Sequence, residues 1–350
     1  MNKLDNQIFQ DRRKSFLSKL DGKAAIIPGA KLVQHHADCE YPFRQESNFW
    51  YLTGFDEPDA IALFLSHKPI GERYILFVHP KNIESEVWNG FRWGTNGAEK
   101  VFGADKSHPI SAFEKELSHY LMGADEIVFS VGKYPEIEST VLNIWAKQID
   151  NSSRTGIAPR AIKPPGLYLN QMRLIKNEYE IERMREAVLI SAEAHELVRN
   201  NIRFKKNEKQ IQGLLEGFFL EKGTRGPAYN SIVASGDNAC VLHYTANNSN
   251  LKKGDLLLVD AGCSLNDYYN GDITRTYPIS GKFSAEQRAI YEIVLEAQKK
   301  SLQSVITGLS SSDIHNEALK VIIEGLLQIN LLKGGVDEII ENCSYKHFYM

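Results

Sequence analysis

The sequence predicts an α/β protein of two domains, and three observations support this prediction. The chain has 350 residues, more than a typical single domain. Short apolar and aromatic runs alternate with segments of helical periodicity over residues 1–150, which is an α/β pattern. Residues 151–166 are rich in Ser, Pro, Gly and Arg and are the best candidate for a linker. We therefore expect one domain at residues 1–165 and a second at residues 166–350.

The N-terminal domain is expected to contain strands followed by helices. Gly54, Pro58 and Pro69 interrupt the apolar runs and mark the turns between them. Strands are predicted at residues 24–27, 49–53, 60–65 and 74–78, and helices at residues 111–121 and 134–148. The presence of both element types in turn is what an α/β domain requires.

The C-terminal domain is expected to hold helices before and after a strand-rich region. A first long helix is predicted because apolar residues recur three and four positions apart, at Ile181, Met184, Val188 and Ala192. A second spans about residues 207–222 and ends at Gly223. Ser284 and Gln287 form a capping box that begins a third helix, and a fourth follows the serines at 310–312.

A β-hairpin with two aspartates is the most informative feature of the strand-rich region. An apolar run at residues 256–259 leads into Asp260, and β-branched and aromatic residues follow Asp272. A turn centred on Asn266 would place the two aspartates directly opposite each other. Like charges in that arrangement are destabilising unless a cation lies between them. The hairpin therefore predicts a metal site, and its carboxylates favour a hard ion such as Mn²⁺.

Composition excludes several classes of protein. The formal net charge is −3, whereas nucleic-acid-binding proteins usually carry a strong basic excess. No apolar run approaches the roughly 18 residues that a membrane span needs. The N-terminus lacks the apolar core of a signal peptide, so that we expect a cytoplasmic protein without nucleic-acid or membrane partners. The four cysteines form no CxxC pair, which argues against a zinc site built on them.

Three pieces of the C-terminal domain together indicate metal-assisted hydrolysis. The segment 229–236 precedes His243, and the hairpin with Asp260 and Asp272 follows. A histidine near a metal site can position a substrate carbonyl or carry a proton. Two bridged metal ions can lower the pKa of a shared water and stabilise the tetrahedral transition state of amide hydrolysis. Taken singly, each piece is weak, because two aspartates in a hairpin usually form a solvated turn and a lone histidine is usually structural.

In this order and spelling, the motifs resemble those of the Xaa-Pro aminopeptidases (aminopeptidase P), which belong to the pita-bread metallopeptidases of family M24. The resemblance covers essentially the whole chain. It rests on residues 38–55, 86–90, 229–236, 243–244 and 260–276. It implies a creatinase-type N-terminal α/β domain followed by a pita-bread domain, which here would be incomplete.

The resemblance also implies the chemistry of the site. The family uses a dinuclear centre, usually of two Mn²⁺ ions, although other divalent ions can serve, and it removes an N-terminal residue that precedes proline. By resemblance, Asp260 is a terminal ligand of one ion, Asp272 bridges both ions, and His243 is the catalytic residue that contacts the substrate. Tyr229 and Trp88 would shape the pocket for a peptide with proline at its second position, although Trp88 is equally well explained as a core or interface aromatic. Relatives commonly form homo-oligomers, dimers or tetramers.

The sequence departs from the family pattern at its C-terminal end. The family site has five ligands, and its histidine and two glutamates follow a segment that resembles residues 347–350, where this chain stops. We therefore expect three ligands to be absent and the 350-residue form to be inactive alone. A truncated gene product and a fragment of a longer enzyme explain this equally well. The spacing of Asp260 and Asp272 is also one residue longer than in many relatives, which suggests a longer hairpin loop.

Two other functions remain open from the sequence. One is a prolidase-like dipeptidase, which would prefer dipeptides over longer peptides. The other is a non-catalytic binding or assembly protein that uses the N-terminal domain. The presence of Asp260, Asp272 and His243 argues against a long-standing loss of catalysis.

Overall fold

The computed structural model of the protein describes residues 3–349, and its contacts divide the chain into two compact units, Met1–Asn177 and Glu178–Met350. This division falls later than the expected boundary after residue 165. The difference arises because the helix Gly166–Leu174 buries Leu169 in a core of the first unit. No helix within residues 3–349 combines the length and the apolar character needed to cross a membrane.

The first unit is an α/β structure. Its strands are β1 (Ala24–Pro28), β2 (Gln34–His36), β3 (Cys39–Glu40), β4 (Ile61–Leu65), β5 (Tyr74–Val78), β6 (Lys106–Pro109), β7 (Ile127–Val128) and β8 (Ile162–Lys163). Its helices are α1 (Lys3–Leu20), α2 (Ser47–Thr53), α3 (Ile83–Asn89), α4 (Gly94–Lys100), α5 (Phe113–Leu121), α6 (Pro135–Thr155) and α7 (Gly166–Leu174). The predicted strands at 24–27, 60–65 and 74–78 are confirmed as β1, β4 and β5.

A six-stranded sheet in the order β6-β5-β4-β1-β7-β8 forms the centre of the described part of this unit. Strand β4 runs antiparallel to both of its neighbours, and the other pairs of adjacent strands are parallel. Every residue of β1, β4 and β5 is buried, because helices cover both faces of the sheet and the runs are apolar throughout. Two hydrophobic cores, one on each face, result from this arrangement.

Two predictions for this unit are wrong. Residues 49–53 belong to helix α2 and not to a strand, because the Glu46 side chain accepts hydrogen bonds from the backbone N–H groups of Asn48 and Phe49. Gly54, with φ 64°, then ends the helix. Residues 151–166 are not a linker, because α6 continues to Thr155 and strand β8 pairs with β7.

The second unit combines helices with short antiparallel strands. Its helices are α8 (Glu178–Asn201), α9 (Glu208–Glu221), α10 (Ala285–Gln303), α11 (Ser311–Gln328) and α12 (Val336–Glu341). Its strands are β9 (Gly226–Pro227), β10 (Ile232–Ser235), β11 (Leu256–Ala261), β12 (Cys263–Ser264) and β13 (Ile273–Pro278). The predicted capping box is confirmed, with the Ser284 hydroxyl and the Gln287 side chain bonding each other's backbone.

The sheet β10-β11-β13 and the helices α8 and α9 share one core. Helix α8 contributes Ala187, Ala194 and Val198 to it, and α9 contributes Leu215 and Phe219. The apolar residues that predict α8 mark the helix correctly but do not mark its buried face, because Ile181, Met184 and Val188 are exposed. Small residues at Ala187 and Ala194 let the helix lie close to the strands.

Candidate metal centre

The two aspartates lie on the hairpin β11–β13, but not directly opposite each other. Asp260 pairs with Thr274 and Ala261 with Ile273, so that the hairpin is centred on Asp267 and not on Asn266. The prediction of direct opposition is therefore wrong by one position in the turn. Asp272 precedes the partner of Asp260 by two residues, which makes the aspartates diagonal neighbours on one face of the sheet.

The turn explains this register. The Tyr268 N–H donates to the Leu265 carbonyl, and the Leu265 N–H donates to the Tyr269 carbonyl. Tyr268 itself adopts φ 67°, in the left-handed region. These bonds centre the hairpin on Asp267, one residue later in the chain than Asn266.

Two glycines bring the strands together next to the aspartates. A Cβ atom on Gly262 would lie 1.9 Å from the carbonyl oxygen of Gly271. A Cβ atom on Gly271 would lie 2.1 Å from the Ser191 hydroxyl oxygen of helix α8. Only residues without a side chain fit at these two positions, which explains why glycine occurs close to each aspartate.

Tyr229 joins the two carboxylates. Its hydroxyl oxygen lies 2.6 Å from Oδ1 of Asp260 and 3.0 Å from Oδ1 of Asp272. The Ala228 N–H donates to the Gly262 carbonyl, and this bond holds the tyrosine beside the hairpin. Burial raises the pKa of Tyr229, and its hydrogen bonds to the two negative carboxylates raise it further. The phenol therefore stays protonated and can donate its one hydrogen to one of the two carboxylates at a time.

The donor chemistry of this group fits a hard divalent ion, since two carboxylates meet at one point. Within residues 3–349, however, no group of three or more His, Cys, Asp or Glu side chains is arranged to hold a metal ion. His243 accordingly does not join Asp260 and Asp272 in such a group. It lies on an exposed turn that follows the 3₁₀ helix Gly236–Cys240.

Trp88 lies in the first unit, on helix α3, and 87% of its surface is exposed. This exposure does not support the interpretation of Trp88 as a core aromatic of its own unit. The interpretations as a pocket or interface residue stay predictions.

An ion pair that the sequence did not reveal fixes the tip of the hairpin. Nε of Arg183, on helix α8, lies 2.7 Å from Oδ2 of Asp267. The Tyr179 hydroxyl donates to the same oxygen at 3.0 Å, and the Tyr269 hydroxyl donates to Glu180 at 3.0 Å. The sequence offers only the spacing of Tyr179 and Arg183, four positions apart on α8, as a sign that they act together. Their common partner Asp267 lies more than eighty residues away.

We expect Arg183→Met to lower the free energy of unfolding by about 1–2 kcal/mol, because a charge-assisted hydrogen bond between two largely covered side chains is lost. The matched control is Arg199→Met on the same helix, whose pair with Glu196 is more than half exposed. That change should lower the free energy of unfolding far less, because an exposed ion pair contributes little to stability. Urea unfolding of both variants tests this, and equal losses would contradict it.

A buried histidine lies beneath the hairpin. Nε2 of His195 lies 3.1 Å from the Ala261 carbonyl oxygen, and Nδ1 lies 3.2 Å from the Tyr277 hydroxyl. Because a carbonyl can only accept, Nε2 carries the hydrogen toward Ala261, and the Tyr277 hydroxyl can donate its one hydrogen either to Nδ1 or to the His195 carbonyl oxygen at 3.2 Å. Burial lowers the pKa of His195 and outweighs the opposing effect of the Ala261 carbonyl.

This lowered pKa predicts a dependence of stability on pH. The unfolded chain binds a proton at His195 near its ordinary pKa of about 6.5, whereas the folded chain binds it only at lower pH. The stabilisation is therefore complete above about pH 6.5 and is lost as the pH falls toward the folded pKa. Urea midpoints between pH 5 and pH 8 should fall less steeply on acidification for His195→Gln than for the unsubstituted protein.

Comparison with protein families gives two matches. Residues 9–129 match the model described as "Aminopeptidase P, N-terminal domain", and they lie in the first unit. Residues 182–349 match the model described as "Metallopeptidase family M24", and they lie in the second unit. The aspartate hairpin and Tyr229 therefore fall within the matched metallopeptidase region.

Individual relatives agree with these matches. The chain is 36% identical over 351 residues to the Xaa-Pro aminopeptidase of Escherichia coli K12, covering 100% of this chain and 79% of that protein. It is 37% identical to the Xaa-Pro aminopeptidase of Haemophilus influenzae, with the same coverage. Among solved structures, aminopeptidase PepP of Pseudomonas aeruginosa matches with a TM-score of 0.92 at 36% identity, over 99% of this chain and 78% of that one. A zinc-substituted E. coli aminopeptidase P in complex with product matches with a TM-score of 0.91, 36% identity and the same coverage.

Proposed function

The chain belongs to the aminopeptidase P family of M24 metallopeptidases, and on that basis we propose that its site serves hydrolysis of the bond between an N-terminal residue and a following proline. The observation that carries this proposal is the convergence of Asp260 and Asp272 on the Tyr229 hydroxyl. Carboxylates placed so close together are stabilised by a cation. The family relationship indicates which reaction to expect, and the hairpin provides carboxylate ligands for the metal ions.

Asp260 and Asp272 would hold divalent ions through their carboxylate oxygens. We propose Mn²⁺ as the ion, because oxygen donors suit it. The related E. coli enzyme has been solved with zinc substituted, so that other divalent ions are compatible with a site of this kind. When bound, such ions supply an activated water nucleophile and neutralise developing negative charge.

The remaining proposed roles belong to side chains of this chain. The Tyr229 hydroxyl holds the orientation of the two carboxylates through its hydrogen bonds. His243 positions the substrate carbonyl or carries a proton, and Tyr229 shapes the pocket. The E. coli relative is named an Xaa-Pro aminopeptidase, and its structures are described as complexes with substrate and with product. These names support a peptide with proline at its second position as the ligand.

We further propose that the 350-residue chain is inactive alone and self-associates as a dimer or tetramer. The site has the carboxylates of Asp260 and Asp272, and residues 3–349 contain no cluster of three or more potential metal ligands. Two carboxylates bind a divalent ion weakly and cannot fix two ions in a catalytic geometry. Light scattering during size-exclusion chromatography tests the oligomeric state.

The test of function compares three peptides in the presence and absence of Mn²⁺. These are an Xaa-Pro-Yaa peptide, the same peptide with alanine in place of proline, and the Xaa-Pro dipeptide. We expect Mn²⁺-dependent binding of the Xaa-Pro-Yaa peptide, weaker binding of the other two, and no release of the N-terminal residue. Preference for the dipeptide would favour a prolidase, and equal binding of the proline and alanine peptides would refute the proposed specificity. Metal-dependent release would support the activity and refute the inactivity of the chain alone.

A further inference from the structure

Glu208 carries a carboxylate that is buried completely at the start of helix α9. The residue follows the N-cap Asn207 and has 0% of its surface exposed. An isolated carboxylate in such a place is costly, because burial removes its hydration. The groups around Glu208 therefore have to replace its hydrogen bonds to water. Their positions show which segment of the chain the carboxylate binds.

Five donors among the described residues bond this carboxylate. Oε1 accepts from the backbone N–H of Ser235 at 2.8 Å, from the Ser235 hydroxyl at 2.7 Å and from Nδ2 of Asn238 at 3.1 Å. Oε2 accepts from the backbone N–H of Ser249 at 2.9 Å and from the Tyr244 hydroxyl at 2.8 Å. Oε1 thus bonds residues at the beginning of the segment 235–249, and Oε2 bonds one residue in its middle and one at its end.

The arrangement closes the segment 235–249 into a loop around one charge. The Glu208 N–H also donates to the Ser249 carbonyl at 3.0 Å, which fixes the end of the loop to the same residue. Nδ2 of Asn238 additionally lies 2.9 Å from the Ser249 hydroxyl, so that the two ends of the loop contact each other directly. Burial acts to raise the pKa of Glu208, but the hydrogen bonds from Ser249, Asn238 and Ser235 together lower it below its ordinary value. The carboxylate is therefore an ionised acceptor, which makes its hydrogen bonds strong.

His243 lies in this loop, next to Tyr244. We propose that Glu208 is a positioning residue for His243, holding the exposed imidazole in place through the Tyr244 hydroxyl and the closed loop 235–249. This inference rests on the proposed function, because it gives Glu208 a role in the reaction through the role proposed for His243. Glu208 itself touches no reacting group.

The first experiment uses Glu208→Gln in the full chain. A glutamine keeps one acceptor oxygen, which we expect in the place of Oε1 because three donors meet there. Its NH₂ group then takes the place of Oε2 and cannot accept from Ser249 and Tyr244. We expect the Ser249 amide to exchange its hydrogen at least about tenfold faster, because it loses a bond to a charged acceptor. Amides of β11 and β13 should keep their rates. Glu221→Gln is the matched control, since it makes the same change on the same helix at an exposed position.

The second experiment reads His243 directly. Its imidazole Cε1–H signal in NMR spectra, assigned with His243→Gln, should move or broaden in Glu208→Gln and stay unchanged in Glu221→Gln. Tyr244→Phe removes one donor and keeps the ring, so that it tests the same link without emptying the buried site. It should shift the His243 signal and lower the melting temperature less than Glu208→Gln does, because four donors to an intact carboxylate remain.

The outcomes separate this inference from the proposed function. Faster exchange confined to the loop, together with a changed His243 signal, supports the positioning role whatever the peptide experiments show. An unchanged His243 signal in both Glu208→Gln and Tyr244→Phe overturns it. Faster exchange throughout residues 178–349 in Glu208→Gln, with an unchanged signal in Tyr244→Phe, also overturns it, because Glu208 would then support only the fold.

Discussion

Asp272→Ala is expected to abolish binding of Mn²⁺ to the second unit. The unsubstituted chain offers two converging carboxylates, which places its dissociation constant at about 1 mM, in the range of weak biological sites. Removing Asp272 leaves Asp260, hydrogen-bonded to Tyr229, without a second carboxylate beside it. We expect affinity to fall at least about tenfold and out of the measurable range.

Calorimetric or paramagnetic titration with Mn²⁺ measures this effect. Asp237→Ala is the matched control, because it removes the same charge from an exposed position outside the hairpin. Without metal, Asp272→Ala should leave stability unchanged or raise it slightly, since it removes like-charge repulsion. Equal Mn²⁺ affinity in Asp272→Ala and Asp237→Ala would refute the assignment of this metal centre.

Phe64→Ala is expected to lower the free energy of unfolding of the first unit by about 3–5 kcal/mol. The Phe64 ring is fully buried in β4, stacks on Tyr74 at a centroid distance of 5.2 Å, and meets the edge of Phe16 at 5.3 Å. Its removal leaves a cavity at the centre of the sheet and ends both ring contacts.

Tryptophan fluorescence during urea unfolding reports this change selectively. All tryptophans of the chain, Trp50, Trp88, Trp93 and Trp145, lie in the unit Met1–Asn177. Ile70→Ala serves as the control, because Ile70 is 89% exposed and its loss should cost little. A shift in the midpoint no larger for Phe64→Ala than for Ile70→Ala would contradict the assigned core.

The apolar strands of the first unit were predictable, and helix α2 was not, for a physical reason. Residues of β1, β4 and β5 are apolar at every position, and such short runs between turns are typical of buried strands. Residues 49–53 are also mostly apolar and aromatic. There the Glu46 cap and the left-handed Gly54 favour a helix, and these local bonds outweigh strand propensity.

The site was predictable where its residues are close in sequence. The hairpin with Asp260 and Asp272 follows from local pattern, but its register depends on the conformation at Tyr268. Glu208, Arg183 and His195 were missed because their partners are distant in the chain and single residues of these types carry no pattern. Only the folded structure brings such groups together.

The strand order of the first unit has a consequence for its synthesis on the ribosome. Strands β1, β4 and β5 are neighbours in the sheet and precede the strands that cover their edges, β6 and β7. At about 5–20 residues per second, roughly 3–10 s pass between the synthesis of Val78 and that of Val128. During that time the most apolar strands of the chain have open edges, which are templates for association with other chains. The sheet of the first unit is therefore open to association with other chains until β6 and β7 have been synthesised and have paired with its edges.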